Sequence, residues 1–301
     1  MFVQHSIMVD QFLSYLQYEK RYSPRTVQSY DEDLKEFEAY IKVLGNCLSW
    51  HSVDADVIRG WMESMMDKGN VATTINRRLS ALRSFYRFAL SRNLVFHDPA
   101  HAVVGPKKEK PLPQFVKETE MDELFDKNRW GDTFRDVRAR TILLTFYSSG
   151  IRVSELTGLH VSDIDFASSE FRVTGKRNKQ RVVPFGQELA EQLMRYLAIR
   201  EVTAGCDTDA LFITEKGQPM AMSQVQYEVK KYLGRVCTLK KRSPHVLRHT
   251  FATAMLNHGA GLESVKKLLG HESLSTTEIY THTTFEQLKN VYTNAHPRAN
   301  L

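Results

Sequence analysis

The sequence predicts a mainly α protein in two parts: a helical bundle, then an α-rich domain carrying a small antiparallel three-stranded sheet. Three observations predict it. Apolar residues recur at three- and four-residue steps through residues 12–89, the period of helices that bury one face. The stretch Gly105-Pro106-Lys107-Lys108-Glu109-Lys110-Pro111-Leu112-Pro113 then breaks all periodicity. Beyond it, Val161–Phe166, Glu170–Thr174 and Gln180–Phe185 read as short strands set among longer helical stripes.

Phe12, Leu13 and Leu16 mark the first helix. Ser23-Pro24 opens the second, with serine as N-cap and proline in the first turn, where no N–H is missed. Its stripe runs through Val27, Tyr30, Leu34, Phe37 and Ile41. Val57, Ile58, Trp61 and Met65 make the third stripe, and Ile75, Leu79, Leu82, Phe85, Tyr86 and Ala89 the fourth. Four helices joined by short loops form a bundle over residues 1–105. Residues 106–114 are a linker, because proline stops a helix and the charges keep the chain hydrated. The second domain, 115–301, starts with helices at 118–128 and 133–148. In the turn Gly175-Lys176-Arg177-Asn178-Lys179, glycine and asparagine tolerate left-handed backbone. Helices follow near 187–203, 223–236, 245–257, 262–269 and 285–294, the last striped by Phe285, Leu288, Val291 and Tyr292.

A chain of 301 residues supplies two cores. Its 42% hydrophobic and 25% charged residues are those of a soluble globular protein. Met1-Phe2-Val3-Gln4-His5-Ser6 lacks a basic leader region, and no stretch approaches a membrane span. Cys47, Cys206 and Cys237 are too scattered for a disulfide frame or a zinc site, so a reducing cytoplasm fits. The net charge of +6 is unevenly placed. Residues 1–105 balance 12 basic against 12 acidic side chains, and the rest carry 29 against 23. Within the first part, Arg77, Arg78, Arg83, Arg87 and Arg92 fall in one helix, while Asp31, Glu32, Asp33, Glu36 and Glu38 crowd another. Segregated basic faces suit a polyanion partner. Charge alone is equally consistent with a solvated helix face.

The chemistry is concentrated in four strings: Ser149-Gly150-Ile151-Arg152, His245-Val246-Leu247-Arg248, Leu268-Leu269-Gly270-His271, and Tyr280 nine residues later. Arginine grips phosphate through a planar fork of donors and stays charged at cellular pH. Two arginines and two histidines suit an anionic oxygen cage, and a downstream tyrosine supplies a nucleophile. A tyrosine hydroxyl titrates near ~10, so it needs a charged pocket before it attacks. His245 and Arg248 lie three apart and share a helix face behind Pro244. Glu155, three residues after Arg152, is a natural salt-bridge partner for it. His271-Glu272 does not begin a zincin motif, since position 275 is serine. The chemistry calls for no metal and no cofactor.

These strings, with Gly175-Lys176, Leu274-Ser275-Thr276-Thr277-Glu278-Ile279-Tyr280-Thr281-His282 and the ending His296-Pro297-Arg298-Ala299, resemble the tyrosine recombinase (phage integrase) family, in particular its Xer-type branch. The resemblance covers about Ile142 to Arg298 by motif, and the amino-terminal half more loosely by size and helix pattern. It implies a site of Arg152, Lys176, His245, Arg248, His271 and Tyr280. Tyr280 would attack the scissile phosphate and hold a 3′-phosphotyrosyl bond, and Lys176 would protonate the leaving 5′-oxygen. Family members often have glycine after this lysine where Arg177 stands here. Lys179 is then the fallback donor. Glu155 would support the site.

The resemblance also implies double-stranded DNA as partner, clamped by the amino-terminal domain. Arg77, Arg78, Arg83 and Arg87, with Arg25, Thr26 and Gln28, would face the duplex, and Lys240, Lys241, Arg242, Lys107 and Lys108 would add phosphate contacts. Recombination through a Holliday junction would need a tetramer, of this chain alone or with a second recombinase, and an activating protein is possible in principle. The stripe on the last helix would dock on a neighbouring subunit. Xer-type resolution of chromosome dimers is the leading reading, favoured by the small size without an extra arm-binding domain. An integrase or invertase of a mobile element shares the same residues. A type IB topoisomerase-like relaxer shares the catalytic cage but needs no partner subunit, and a non-catalytic DNA-binding module could keep the fold alone.

Overall fold

Caps and apolar spacing decide where the first helices form. The computed structural model describes residues 7–45, 49–108, 113–175, 178–204, 207–270 and 282–299. Helix α1 (Ile7–Ser14) runs into a π turn over Tyr15–Glu19. Helix α2 (Pro24–Leu44) starts where Ser23 Oγ accepts from the Thr26 N–H at 3.2 Å. Helix α3 (Ala55–Asp67) starts at Asp54, whose carboxylate accepts the Asp56 and Val57 N–H groups at 2.9 Å each. Helix α4 (Ala72–Ser91) buries Ile75, Leu79, Leu82, Phe85 and Tyr86 in a core with Phe12, Leu34, Phe37, Trp50 and Trp61. The same helix holds the chain that follows the bundle. Arg83 donates to the Ala100 and Val103 carbonyls at 3.2 and 2.5 Å, and Asn76 Nδ2 donates to Pro106 O at 2.8 Å.

Contacts divide the chain into two units, Met1–Pro111 and Leu112–Leu301. In the second, α5 (Glu118–Phe125) leads to α6 (Phe134–Ser149), which is buried on all sides rather than along one stripe. A helix wrapped by neighbours has no polar face, so its arginines need internal partners. Arg138 donates to Ile213 O and Glu228, both at 3.1 Å, and Arg140 bridges Gln192 and Glu188. Around α6 lie α7 (Val153–Thr157), α8 (Gln187–Ala204), α9 (Met222–Leu233), α10 (Pro244–Asn257), α11 (Leu262–Leu269) and α12 (His282–Ala295).

The sheet is antiparallel in the order β1 (Ile164–Asp165), β2 (Glu170–Thr174), β3 (Gln180–Pro184), with Phe171 opposite Val183 and Val173 opposite Arg181. The strand expected over Val161–Phe166 is shorter than its pattern. The Asp163 carboxylate accepts the His160 N–H at 2.9 Å and winds Val161–Asp163 into a 3-10 turn. Likewise the helix expected to reach residue 128 stops at Phe125, because Asp126 caps Asn128 at 3.0 Å and starts a separate turn. Asn178 takes a left-handed φ of 60°, as expected of the hairpin turn.

The last helix, whose stripe was expected to dock on a neighbouring subunit, packs within the single chain. Leu288 and Tyr292 on α12 are buried against Phe251, Met255, Val265, Leu268 and Leu269 of their own chain. The segment behind it is fastened too. His296 lies beneath Tyr147 O at 3.1 Å, and Arg298 pairs with Glu188 at 2.7 Å and Asp122 at 2.9 Å. A single chain can therefore satisfy this stripe itself. No helix among the described residues is long and apolar enough to cross a membrane.

Candidate active site

Three chain segments converge because glycine turns allow it. Helix α6 ends at Gly150, in a left-handed turn with φ of 61°. A Cβ there would stand 2.5 Å from Phe251 Cδ1 and 2.8 Å from Leu269 Cδ2, so the turn requires glycine. It places Arg152 as the residue capping α7. Pro244 opens α10, leaving His245 exposed in the first turn and turning Arg248 inward to 9% exposure. Helix α11 ends at Gly270, again left-handed with φ of 66°, and the next residue is His271.

A helix end leaves carbonyls without partners. At α11 three successive ones are taken by three different arginines. Arg181 Nε donates to Leu268 O at 3.2 Å, Arg248 Nη2 to Leu269 O at 2.7 Å, and Arg152 Nη2 to Gly270 O at 3.4 Å. Arg248 Nη1 also donates to Gly150 O at 2.6 Å. The negative end of the helix dipole favours the gathering of cations there.

One buried carboxylate organises two of these arginines. Glu155 Oε1 accepts from Arg152 Nη1 at 2.8 Å and from Arg181 Nη1 at 2.7 Å. Its Oε2 accepts the Arg152 backbone N–H at 2.8 Å and Arg181 Nη2 at 3.0 Å. Burial alone would raise the Glu155 pKa, but the Arg181 and Arg152 donors outweigh it and hold the carboxyl below its ordinary range. Burial, then the charge of Arg152, pushes Arg248 down to about 10, still cationic at neutral pH. Among these four side chains, three positive charges stand against one negative. Arg152 keeps a side-chain exposure of 36%, enough to meet an anion from solvent. Such a cluster binds a phosphate diester readily and disperses charge growing on its non-bridging oxygens.

Lys176, His271 and Tyr280 lie outside the described residues, but the chain flanking the first two does not. Gly175 N–H donates to Lys179 O at 2.8 Å, and a Cβ at Gly175 would sit 3.3 Å from Glu155 Oε1. The hairpin turn therefore abuts the carboxylate that orients Arg152. Gly270 abuts the same cluster.

The expected DNA-facing set divides. Arg25, Arg87, Lys240 and Lys241 are exposed, and Arg242 is half-buried. Arg77 instead pairs with Asp33, Arg78 reaches Glu36 at 2.5 Å, and Arg83 serves the carbonyls of residues 100 and 103. Thr26 Oγ1 meets Ser23 Oγ at 2.8 Å, and Gln28 donates to Glu32 at 3.0 Å. Arg77 and Arg78 on α4 thus pair with acids on α2. Sequence reasoning also missed Arg181. Lying in the run Gln180-Arg181-Val182-Val183, it carries no motif of its own. Its one signal is that it shares the inward face with buried Val183, two residues on, where an arginine needs an acid.

Comparison with known proteins identifies the family. The phage integrase family pattern matches residues 114–287, and the phage integrase amino-terminal SAM-like domain matches residues 9–93. The tyrosine recombinase XerC of Staphylococcus saprophyticus is 40% identical, over 96% of this chain and 96% of that protein. XerC of Chlorobaculum tepidum is 37% identical, over 96% and 94%. A XerH site-specific recombinase bound to palindromic difH in a post-cleavage complex shares the fold, with a TM-score of 0.71 at 20% identity over 95% of this chain and 84% of that one. By the match over its carboxy-terminal unit and the near full-length likeness to XerC proteins, this chain belongs to the phage integrase family of tyrosine recombinases.

Proposed function

We infer that this protein is a Xer-type site-specific recombinase that cuts and rejoins duplex DNA strands by transesterification. The observation that carries the reading is the convergence of Arg152 and Arg248, from motifs far apart in sequence, on neighbouring carbonyls just before His271. The Tyr280 hydroxyl gives up its proton to a neighbouring base as its oxygen attacks the scissile phosphorus, a phosphotyrosyl bond forms to the 3′ end, and the bond to the 5′-oxygen breaks. Lys176 gives that oxygen its proton, with Lys179 as the alternative donor. Arg152, Arg248, His245 and His271 bind the non-bridging oxygens as charge builds on them. A 5′-hydroxyl from a partner strand then reverses the step, and two such exchanges pass through a Holliday junction. The bond energy stays in the ester, so no ATP is consumed.

We assign residues 1–105 to clamping DNA, 106–114 to the linker and 115–301 to the chemistry. Arg25, Arg87, Lys107, Lys108, Lys240 and Lys241 are among the assigned residues exposed for phosphate. The working assembly is a tetramer on DNA, of this chain alone or with a second recombinase. Near full-length likeness to XerC proteins favours resolution of chromosome dimers in the cytoplasm over service to a mobile element.

The test is covalent trapping on a nicked suicide substrate. Wild type should form a protease-sensitive, SDS-resistant adduct, and Tyr280→Phe should form none while still binding duplex. EDTA should leave the wild-type rate unchanged. An adduct from the phenylalanine variant would remove Tyr280 from the nucleophile role, and loss of cleavage in chelator would overturn the metal-free step.

A further inference from the structure

We propose that Arg181 is a positioning residue for strand cleavage, setting Arg152 through their shared carboxylate, Glu155. The proposal rests on Arg152 serving the scissile phosphate. Four observations meet at this one side chain. Its guanidinium forks onto both Glu155 oxygens, at 2.7 and 3.0 Å, while the same two oxygens hold the Arg152 side chain and backbone at 2.8 Å. Its Nε holds Leu268 O at 3.2 Å. A Cβ at Gly270 would lie 3.1 Å from its Cδ and Nε, so the guanidinium lies close beneath the residue preceding His271. Finally, β3 places it opposite Val173, two residues before Gly175.

Arg181 thus braces Arg152 through the carboxylate and is itself anchored to the end of α11 by the Leu268 carbonyl. With a side-chain exposure of 9% and its Nε, Nη1 and Nη2 all engaged, Arg181 is turned to protein rather than to solvent. Lysine cannot replace it, because a point charge reaches Glu155 or Leu268 O but not both sides of the fork. Small misplacement of a reacting group is enough to slow chemistry on the order of 10²-fold.

The experiment is a double-mutant cycle on single-turnover cleavage of a suicide substrate at saturating protein. Arg152→Ala and Arg181→Ala should each slow cleavage, Arg181→Ala on the order of 10²-fold. The double variant should be no slower than Arg152→Ala alone, because Arg181 acts through Arg152. Half-site binding should stay near wild type. If Arg181→Ala does not fold, Arg181→Lys carries the same cycle, with a smaller loss and the same lack of additivity. Multiplying losses would overturn the proposal, as would an Arg181→Lys variant as fast as wild type. An Arg152→Ala variant that cleaves at the wild-type rate would overturn the active-site reading along with it, which separates the two failures.

Discussion

In the amino-terminal unit Arg77 and Arg78 face Asp33 and Glu36, whereas in the carboxy-terminal unit Arg152, Arg181 and Arg248 gather around Glu155 and the end of α11. The first arrangement nearly cancels its own charge. The second leaves cations in excess, supported by carbonyls that orient but do not neutralise them. The difference teaches where an anion is expected. A basic helix face read from sequence is weak evidence when an acidic helix packs against it. A cluster of arginines that outnumbers its acids among the described residues is stronger evidence, because its charge is less fully met within the fold.

The comparison breaks most easily at the acids. Glu155→Ala would leave Arg152 and Arg181 side by side without their shared carboxylate and should cost about 3–5 kcal/mol of stability in urea. Asp33→Ala should cost less, about 1.5–3 kcal/mol, since Arg77 is nearly half exposed and can rehydrate. Equal losses would mean that the two clusters are alike after all.

A smaller effect is expected from pH, with opposite signs in the two units. Burial pushes His296 down to about 4, so the folded protein refuses a proton that the unfolded chain accepts. That contribution is present above the ordinary histidine range, near ~6.5, and is lost as pH falls toward about 4. Asp33 goes the other way: burial raises its pKa despite Arg77, and its contribution is lost as pH rises through the carboxylate range. Protection factors of α6 amides, which discount the intrinsic slowing of exchange in acid, should therefore fall between pH 6.5 and 4. A His296→Gln variant should flatten that dependence, and an unchanged slope would remove His296 as its source.

The smallest effects belong to exposed arginines. Arg25→Ala or Arg87→Ala should weaken duplex binding alike on all sequences and lower the salt slope by about 1 each, with the cleavage rate at saturation unchanged. Arg77→Ala should leave that slope nearly untouched, because its charge is already held by Asp33. A full unit of slope from Arg77 would place it on DNA after all.

Much of this was legible in the sequence, for physical reasons that differ by residue. The α2 and α4 stripes followed from their period, and Ser23 and Pro24 fixed where α2 begins. Arg152 and Arg248 stood out because their motifs carry glycine or proline at fixed places beside them. The short β1 was not legible, since Val161-Ser162-Asp163 has strand composition and is overruled by one aspartate cap. The ion pairs of Arg77 and Arg78 were not legible for a related reason: pairing of α4 with α2 is a tertiary fact. Arg181 was invisible because a strand position says nothing of the acid that waits across the fold, and the docking of α12 on its own domain likewise depends on Phe251 and Leu269, far away in sequence.

The central claim is that the surplus positive charge at Arg152 and Arg248 exists to meet the charge of a phosphate diester. A suicide substrate with a methylphosphonate at the scissile position replaces one non-bridging oxygen with a methyl group and so removes that charge. The measurement is the single-turnover rate of Arg248→Ala on the normal and the neutral substrate. On the normal substrate the variant should fall about 10²–10³-fold below wild type. On the methylphosphonate it should recover most of that loss, because the missing cation has less charge to oppose. A variant equally defective on both substrates would contradict the account, and Arg248 would then be a structural residue holding Gly150 and Leu269 in place.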